Sequence, residues 1–271
     1  MGSAVVALFN GALQIWVDFL VLIYDVVTKS PYNFGNGALY STISGLTDTV
    51  IKTAGVDLVM IVWGIGFVRL LFRSNTMNDA PIVVIGSFIR MIITTAIVLS
   101  YSWIVSFVID WGISLTSAIA GSASAVQNAI TFDETMLSSG FWEGMVDLIL
   151  ALVFFLVVAY MGIKILITVY ARIFKMYVAI FLAPIPLALY ASERTESMAI
   201  KYLTTVGRIS LQGLVIVIDI VVYNVFLTQA PSLISFSAGG TLTVFCIVQF
   251  INIMVLSALI QASDQFIERL I

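Results

Sequence analysis

Two ionisable side chains stand inside long apolar stretches of this chain, Lys164 in "MGIKILIT" and Asp219 in "VIVIDIVV". In hydrocarbon such a group costs several kcal/mol unless it is paired or hydrated, so each points to a contact or a pathway. Asp219 lies eleven residues beyond Arg208, and Lys164 eight before Arg172. At 1.5 Å per helical residue these are depths of roughly 16 and 12 Å. A lysine stem bridges that difference, so the expectation is that the two pair or face a shared wet cavity. Snorkelling to the interface is the alternative for Lys164; an aspartate is too short for it. Gln249 and Asn252 are spaced i, i+3 and share a helix face, where interhelical hydrogen bonding is expected. A third set, Arg90, Arg172, Lys175, Arg194, Lys201 and Arg208, could line a cytoplasmic basic vestibule for a polyanion. Ordinary topogenic charge is the competing account. The dense basic stripe with interleaved aromatics of a dedicated nucleic-acid binder is missing.

Other chemistry is excluded more easily. The sequence contains no histidine, so imidazole catalysis and histidine metal sites are ruled out. It has no P-loop, no G-x-S-x-G and no paired-carboxylate motif. "GIGFVRLLFR" from Gly64 lies within an apolar segment, where small residues serve close helix packing rather than dinucleotide binding. One cysteine, Cys246, cannot form an intramolecular disulfide. The expectation is a protein that is not an enzyme and has no cofactor and no metal.

The elements that must position these residues are membrane helices. Of 271 residues 61% are hydrophobic and 10% charged, and mean hydropathy is +1.11. Soluble domains carry about 25% charged residues, so the fold class is an all-α polytopic membrane protein. Five segments reach the ~20 residues needed to cross a bilayer: 54–72, 90–110, 147–170, 209–228 and 241–260. Arg69, Arg73 and Arg90 flank the first connection, five basic residues lie between the third and fourth spans, and Arg269 is in the tail. The positive-inside rule puts these nine on the cytoplasmic side. Lys29 and Lys52 fall outside, beside a second outer loop that carries Asp133, Glu134 and Glu143. The result is five spans with the N-terminus outside and the C-terminus inside. No Lys or Arg precedes Lys29, so no secretory signal peptide is expected.

Between Lys175 and Ser192 the chain is uncharged but broken by Pro184 and Pro186. Proline removes an amide donor and disfavours helix in the residue before it. A re-entrant helix–break–helix or an interfacial element over 176–190 is therefore expected, with a kinked sixth span as the alternative. Broken backbone at membrane depth must be buried in protein or line water. Residues 1–53 read as an extracytoplasmic amphipathic helix and loop, ahead of a five-span domain over 54–271. Asn10, Gln14, Asp18, Asp25 and Lys29 make one polar helix stripe. The helix either lies flat in the outer interface or packs its stripe against partner subunits. Ser30–Ser44 reads as a loop, and a short helix capped by Thr131 or Asp133 is expected in the outer loop.

The block "GIKILITVYARIFKMYVAIFLAPIPLALYASERTESMAIKYLTTVGRISLQGLVIVIDIVVYNVFL" resembles the TrbL-type (VirB-six-like) polytopic subunit of conjugative type IV secretion systems, in versions from Gram-positive conjugative elements. The features that carry the resemblance are R-x-F-K-x-Y at Arg172–Tyr177, A-P-I-P-L-A at Ala183–Ala188 and L-Q-G at Leu211–Gly213. It extends over most of residues 50–230. It implies a non-catalytic subunit that assembles with other type IV secretion membrane subunits and cytoplasmic ATPases. Such subunits help pass single-stranded DNA with its relaxase, or protein cargo, across the cytoplasmic membrane. Five spans are too few to enclose DNA alone, which makes a homo-oligomer the expectation. The roles that larger members give to appended domains do not carry over. Two other readings remain, a secondary transporter for a small solute and a non-conducting scaffold of the same machine. The transporter reading meets a broken element but no repeated halves.

Overall fold

The structure is a computed structural model, and it describes residues 2–73, 80–122, 141–233 and 242–270. All regular structure among these residues is helical: α1 Gly2–Thr28, α2 Ala38–Leu46, α3 Lys52–Arg73, α4 Ala80–Leu99, α5 Tyr101–Ser122, α6 Phe141–Leu182, α7 Pro184–Ala188, α8 Glu196–Leu233 and α9 Leu242–Leu270. Six described stretches are long and apolar enough to cross a membrane. Their outer surfaces stay apolar, with Phe72 86%, Trp103 71% and Ile167 63% exposed. In water that surface would drive association; in a bilayer it is the solvated face. Thr131 and Asp133 lie outside the described residues.

The chain forms two compact units. The first comprises Met1–Thr28, Leu115–Ala171 and Gln212–Leu270, and the second Lys29–Ser114 and Arg172–Leu211.

In the first unit the apolar face of α1 is turned inward. Val5, Phe9, Trp16, Leu20 and Ile23 are buried. Phe9 packs on Phe154 at 5.1 Å and on Phe245 at 6.5 Å between ring centroids. The Trp16 indole N–H donates to the Tyr223 hydroxyl at 3.1 Å. Gly162 makes room for Phe19, whose Cε2 would lie 2.7 Å from an added Cβ. Phe9 is thus level with Phe154 and Phe19 with Gly162, so α1 and α6 run in the same direction. The contact of Phe245 with Phe9, and a 3.3 Å hydrogen bond from Gln212 to Ser263, set α9 parallel to α1 and α8 antiparallel to both. The polar stripe of α1 is outward: Gln14, Asp18 and Asp25 are exposed, and Gln14 donates to Asp18 at 3.1 Å. Because its apolar face is used up by α6 and α9, α1 does not present that face to lipid as a flat interfacial helix would.

In the second unit α3 packs against the proline element. Gly55 and Gly66 are eleven residues apart, three helical turns, and so share a face. An added Cβ at Gly55 would lie 2.8 Å from Pro184 Cβ and 3.1 Å from its carbonyl oxygen. At Gly66 it would lie 2.9 Å from the Ser192 hydroxyl. Gly64 has nothing within 4 Å, so of the two glycines in "GIG" only Gly66 serves packing. The Pro184 ring and carbonyl cannot rotate away from an intruding side chain. We expect Gly55→Val to lower stability by about 1–3 kcal/mol, with Gly64→Val as the control, read from thermal unfolding in detergent. Equal losses at both positions would contradict this packing.

Several sequence expectations shift here. Segment 90–110 is divided at Ser100, and the span-length helix in this region is Tyr101–Gly121. The break is local, because Ser100 N still donates to Ala96 at 3.0 Å and Ile104 N to Ser100 at 3.3 Å. Thr94 and Thr95 bond back to the carbonyls of Arg90 and Met91 at 2.8 and 2.9 Å, a pattern that bends helices. The 147–170 span is part of α6, 42 residues long and about 63 Å at 1.5 Å per residue. It runs on through "RIFKMYVAIFL", so residues 176–182 are not a separate arm. The proline break begins at Ala183, and its second arm is only the five-residue α7 with Pro184 at the first position, where a missing N–H costs nothing. Residues 38–44 of the expected loop are helical; the irregular part ends in left-handed Gly35, Asn36 and Gly37. Burial pushes the Tyr32 phenol in this loop above its ordinary pKa.

Candidate functional site

The residues singled out in the sequence separate by unit. Lys164, Asp219, Gln249 and Asn252 belong to the first, and Arg90, Arg172, Lys175, Arg194, Lys201 and Arg208 to the second. The same holds for charge in general. Only Lys164 and Arg269 of the twelve Lys and Arg lie in the first unit; the other ten lie in the second. Lys29 and Lys52 are among these ten.

Lys164 and Asp219 do not pair. Lys164 is exposed and shares a stripe with Tyr160 and Ile167, 61% and 63% exposed, because residues i, i+4 and i+7 lie on one helix face. Asp219 is half-buried, and its Oδ2 has no hydrogen-bond partner among the described residues. Similar depth therefore did not imply facing side chains, since azimuth around each helix decides the contact. Gln249 and Asn252 are both buried, each 7% exposed, on the inward face of α9.

The six basic residues do not form one vestibule. Arg172 is 2% exposed and turned into protein. Its Nε donates to the Ile209 carbonyl at 3.0 Å and its Nη2 to the Ser210 carbonyl at 3.0 Å. Ser210 in turn donates to the Ile109 carbonyl at 3.0 Å. Gly112 admits this residue to α5, for an added Cβ would lie 2.7 Å from Ser210 Cβ. Arg172 is thus the pin of a three-helix junction. Arg208 is half-buried, with a buried Nε that lacks a hydrogen bond, while Lys175 and Lys201 are exposed.

Arg90 and Arg194 do come together, in a cavity of about 690 Å³ within the second unit. Trp63, Gly66 and Arg69 of α3, Ser87, Ile89, Arg90 and Ile93 of α4, and the turn from Tyr190 to Arg194 line it. Arg90 is fully engaged. Its Nε donates to the Tyr190 carbonyl at 2.9 Å, and its guanidinium lies 5.1 Å from the centre of the Tyr190 ring. Nη2 pairs with Glu196, and Nη1 lies 3.9 Å from Glu193. Glu196 opens α8, where a carboxylate also suits the helix dipole. The Trp63 N–H is spent on Ser87, at 3.1 Å to its carbonyl and 2.9 Å to its hydroxyl. Arg69 and Arg194 are exposed and make no ion pair among the described residues. The sequence reading missed Glu193, Glu196 and Tyr190 as partners of Arg90, although all three lie just past the proline break. Arg90→Gln should loosen the 190–196 turn, so trypsin should cut after exposed Arg194 several-fold faster than in the parent. An unchanged rate would show that the turn is held by its contact with α3 alone.

An all-helical chain with apolar outer faces, several span-length helices and its basic side chains gathered in one unit is a multi-pass membrane protein. The family described as "TrbL/VirB6 plasmid conjugal transfer like protein" matches residues 20–184, and the chain belongs to that family. The match covers R-x-F-K-x-Y and ends at Pro184, so L-Q-G lies beyond it. No match was found among curated proteins or among solved structures. The family ties the chain to conjugal transfer, and so to a multi-subunit type IV secretion machine.

Proposed function

We propose that this chain is a non-catalytic channel or scaffold subunit of a type IV secretion machine. In this reading it helps move single-stranded DNA with its relaxase, or protein cargo, across the cytoplasmic membrane. Family membership over residues 20–184 carries the reading. The other type IV secretion membrane subunits, cytoplasmic ATPases and further copies of this chain are its partners. The helix directions support an N-terminus outside and a C-terminus inside. α1 and α9 run parallel, so the start of α1 and the end of α9 lie at opposite ends of the first unit, in keeping with termini on opposite sides. The basic residues around the first connection and between the third and fourth spans favour the same orientation.

An in-frame deletion in a donor strain tests the reading. Transfer should fall to the background of a mating without donor plasmid and return when the gene is supplied in trans. Unchanged transfer would contradict it.

A further inference from the structure

The cavity of the second unit has a composition that neither a water channel nor a helix contact needs. Its volume, about 690 Å³, lies within the range of roughly 300–1,000 Å³ typical of ligand sites. One wall is aliphatic: Ile89 and Ile93 of α4 are 52% and 47% exposed beside it. Arg69 and Arg194 enter from α3 and from the turn after the proline break, both without an ion pair among the described residues. Arg90, in the same lining, is locked by Glu193, Glu196 and Tyr190, so the frame is built, and among the described residues the other two guanidiniums are available.

The charge balance narrows the ligand. Arg69, Arg90 and Arg194 face Glu193 and Glu196, one positive charge in excess. A ligand with a single negative charge neutralises it. Guanidinium forks match phosphate oxygens in geometry as well as charge, and the isoleucine wall suits alkyl chains. We propose that this cavity binds one monoanionic phospholipid, its phosphodiester between Arg69 and Arg194 and its chains along Ile89 and Ile93. Basic pockets between membrane helices on the cytoplasmic side suit anionic headgroups, and the site rests on the proposed orientation, in which Arg69, Arg90 and Arg194 are cytoplasmic. A nucleic-acid strand fits it worse, since a strand needs a continuous run of cations with stacking rings. Here two guanidiniums are available, and the lining rings are already engaged, Trp63 with Phe67 and Phe88 and Tyr190 with Arg90.

The test uses the full chain, purified in mild detergent and placed in nanodiscs of phosphatidylglycerol or of phosphatidylcholine, with retained lipid counted by native mass spectrometry after detergent release. We expect one phosphatidylglycerol retained per chain and no phosphatidylcholine. Arg69→Gln with Arg194→Gln should weaken retention about tenfold or more, the loss expected for charge-assisted hydrogen bonds. Arg194→Gln alone, on an exposed turn, should weaken it several-fold and serves if the double variant does not fold. Lys175→Gln with Lys201→Gln removes the same charge elsewhere in the unit and should leave retention unchanged. Equal retention of phosphatidylcholine, equal loss in the lysine variant, or displacement of the lipid by inorganic phosphate or a short single-stranded oligonucleotide would each overturn the proposal. Because the readout is lipid on purified protein, its failure leaves the assignment to a conjugation machine standing.

Discussion

Arg172→Gln should be the most damaging single substitution in the second unit, lowering stability by about 3–5 kcal/mol through the loss of two charge-assisted hydrogen bonds. The guanidinium is 2% exposed and holds the carbonyls of Ile209 and Ser210, both at 3.0 Å. Each charge-assisted bond contributes about 1.5–3 kcal/mol, and a buried carbonyl left without its donor adds a desolvation cost. Arg172→Lys should recover only part of the loss, because one ammonium cannot reproduce the spread of Nε and Nη2. Thermal unfolding in detergent and the amount of protein in the membrane fraction read the effect. A glutamine variant as stable as the parent would show that the junction is held by apolar packing alone.

The second large effect is expected where α5 meets α8. A methyl group at Gly112 would lie 2.7 Å from Ser210 Cβ, closer than real Cβ atoms approach, and 3.1 Å from its backbone carbon, a tight contact. Gly112→Ala should therefore cost about 1–3 kcal/mol, and Gly112→Val more. Ser210→Gly alone should cost about 1 kcal/mol, from the lost bond to Ile109 and the entropy of glycine in a helix. Combined, the two changes should destabilise less than their sum, with a coupling of about 1–3 kcal/mol, because the glycine removes the atoms that the new methyl strikes. Strict additivity would mean that α5 and α8 separate without strain, and the close approach would then not be what positions Ser210 for Arg172.

Much of this fold can be read from composition, because an apolar run long enough to cross a bilayer is a property of the segment itself. The helical class and the break at Pro184 are also legible in the local sequence. What the sequence withheld depends on azimuth and on contacts between distant segments. Lys164 and Asp219 have suitable depths but different facing. Arg172, Arg90 and Arg194 look alike as charges, yet one is buried on backbone carbonyls, one is paired with Glu193 and Glu196, and one is free at a cavity. Gly55 and Gly112 carried no local signal, since their role is the room they leave for Pro184 and Ser210. The orientation of α1 was legible only in part. Its polar stripe is plain in the sequence, but that the apolar side faces α6 and α9 emerges only from Phe9 and Phe19.

The channel form of the proposed function puts this membrane subunit beside the transferred cargo. Crosslinking in actively mating donor cells, followed by capture of this protein and detection of the transferring strand, tests it most directly, with a donor whose secretion ATPases are inactive as the control. We predict recovery of the strand that depends on ATPase activity. Absence of the strand from this protein, while relaxase or other channel subunits in the same cells yield it, would contradict a place beside the cargo path and leave a scaffold role.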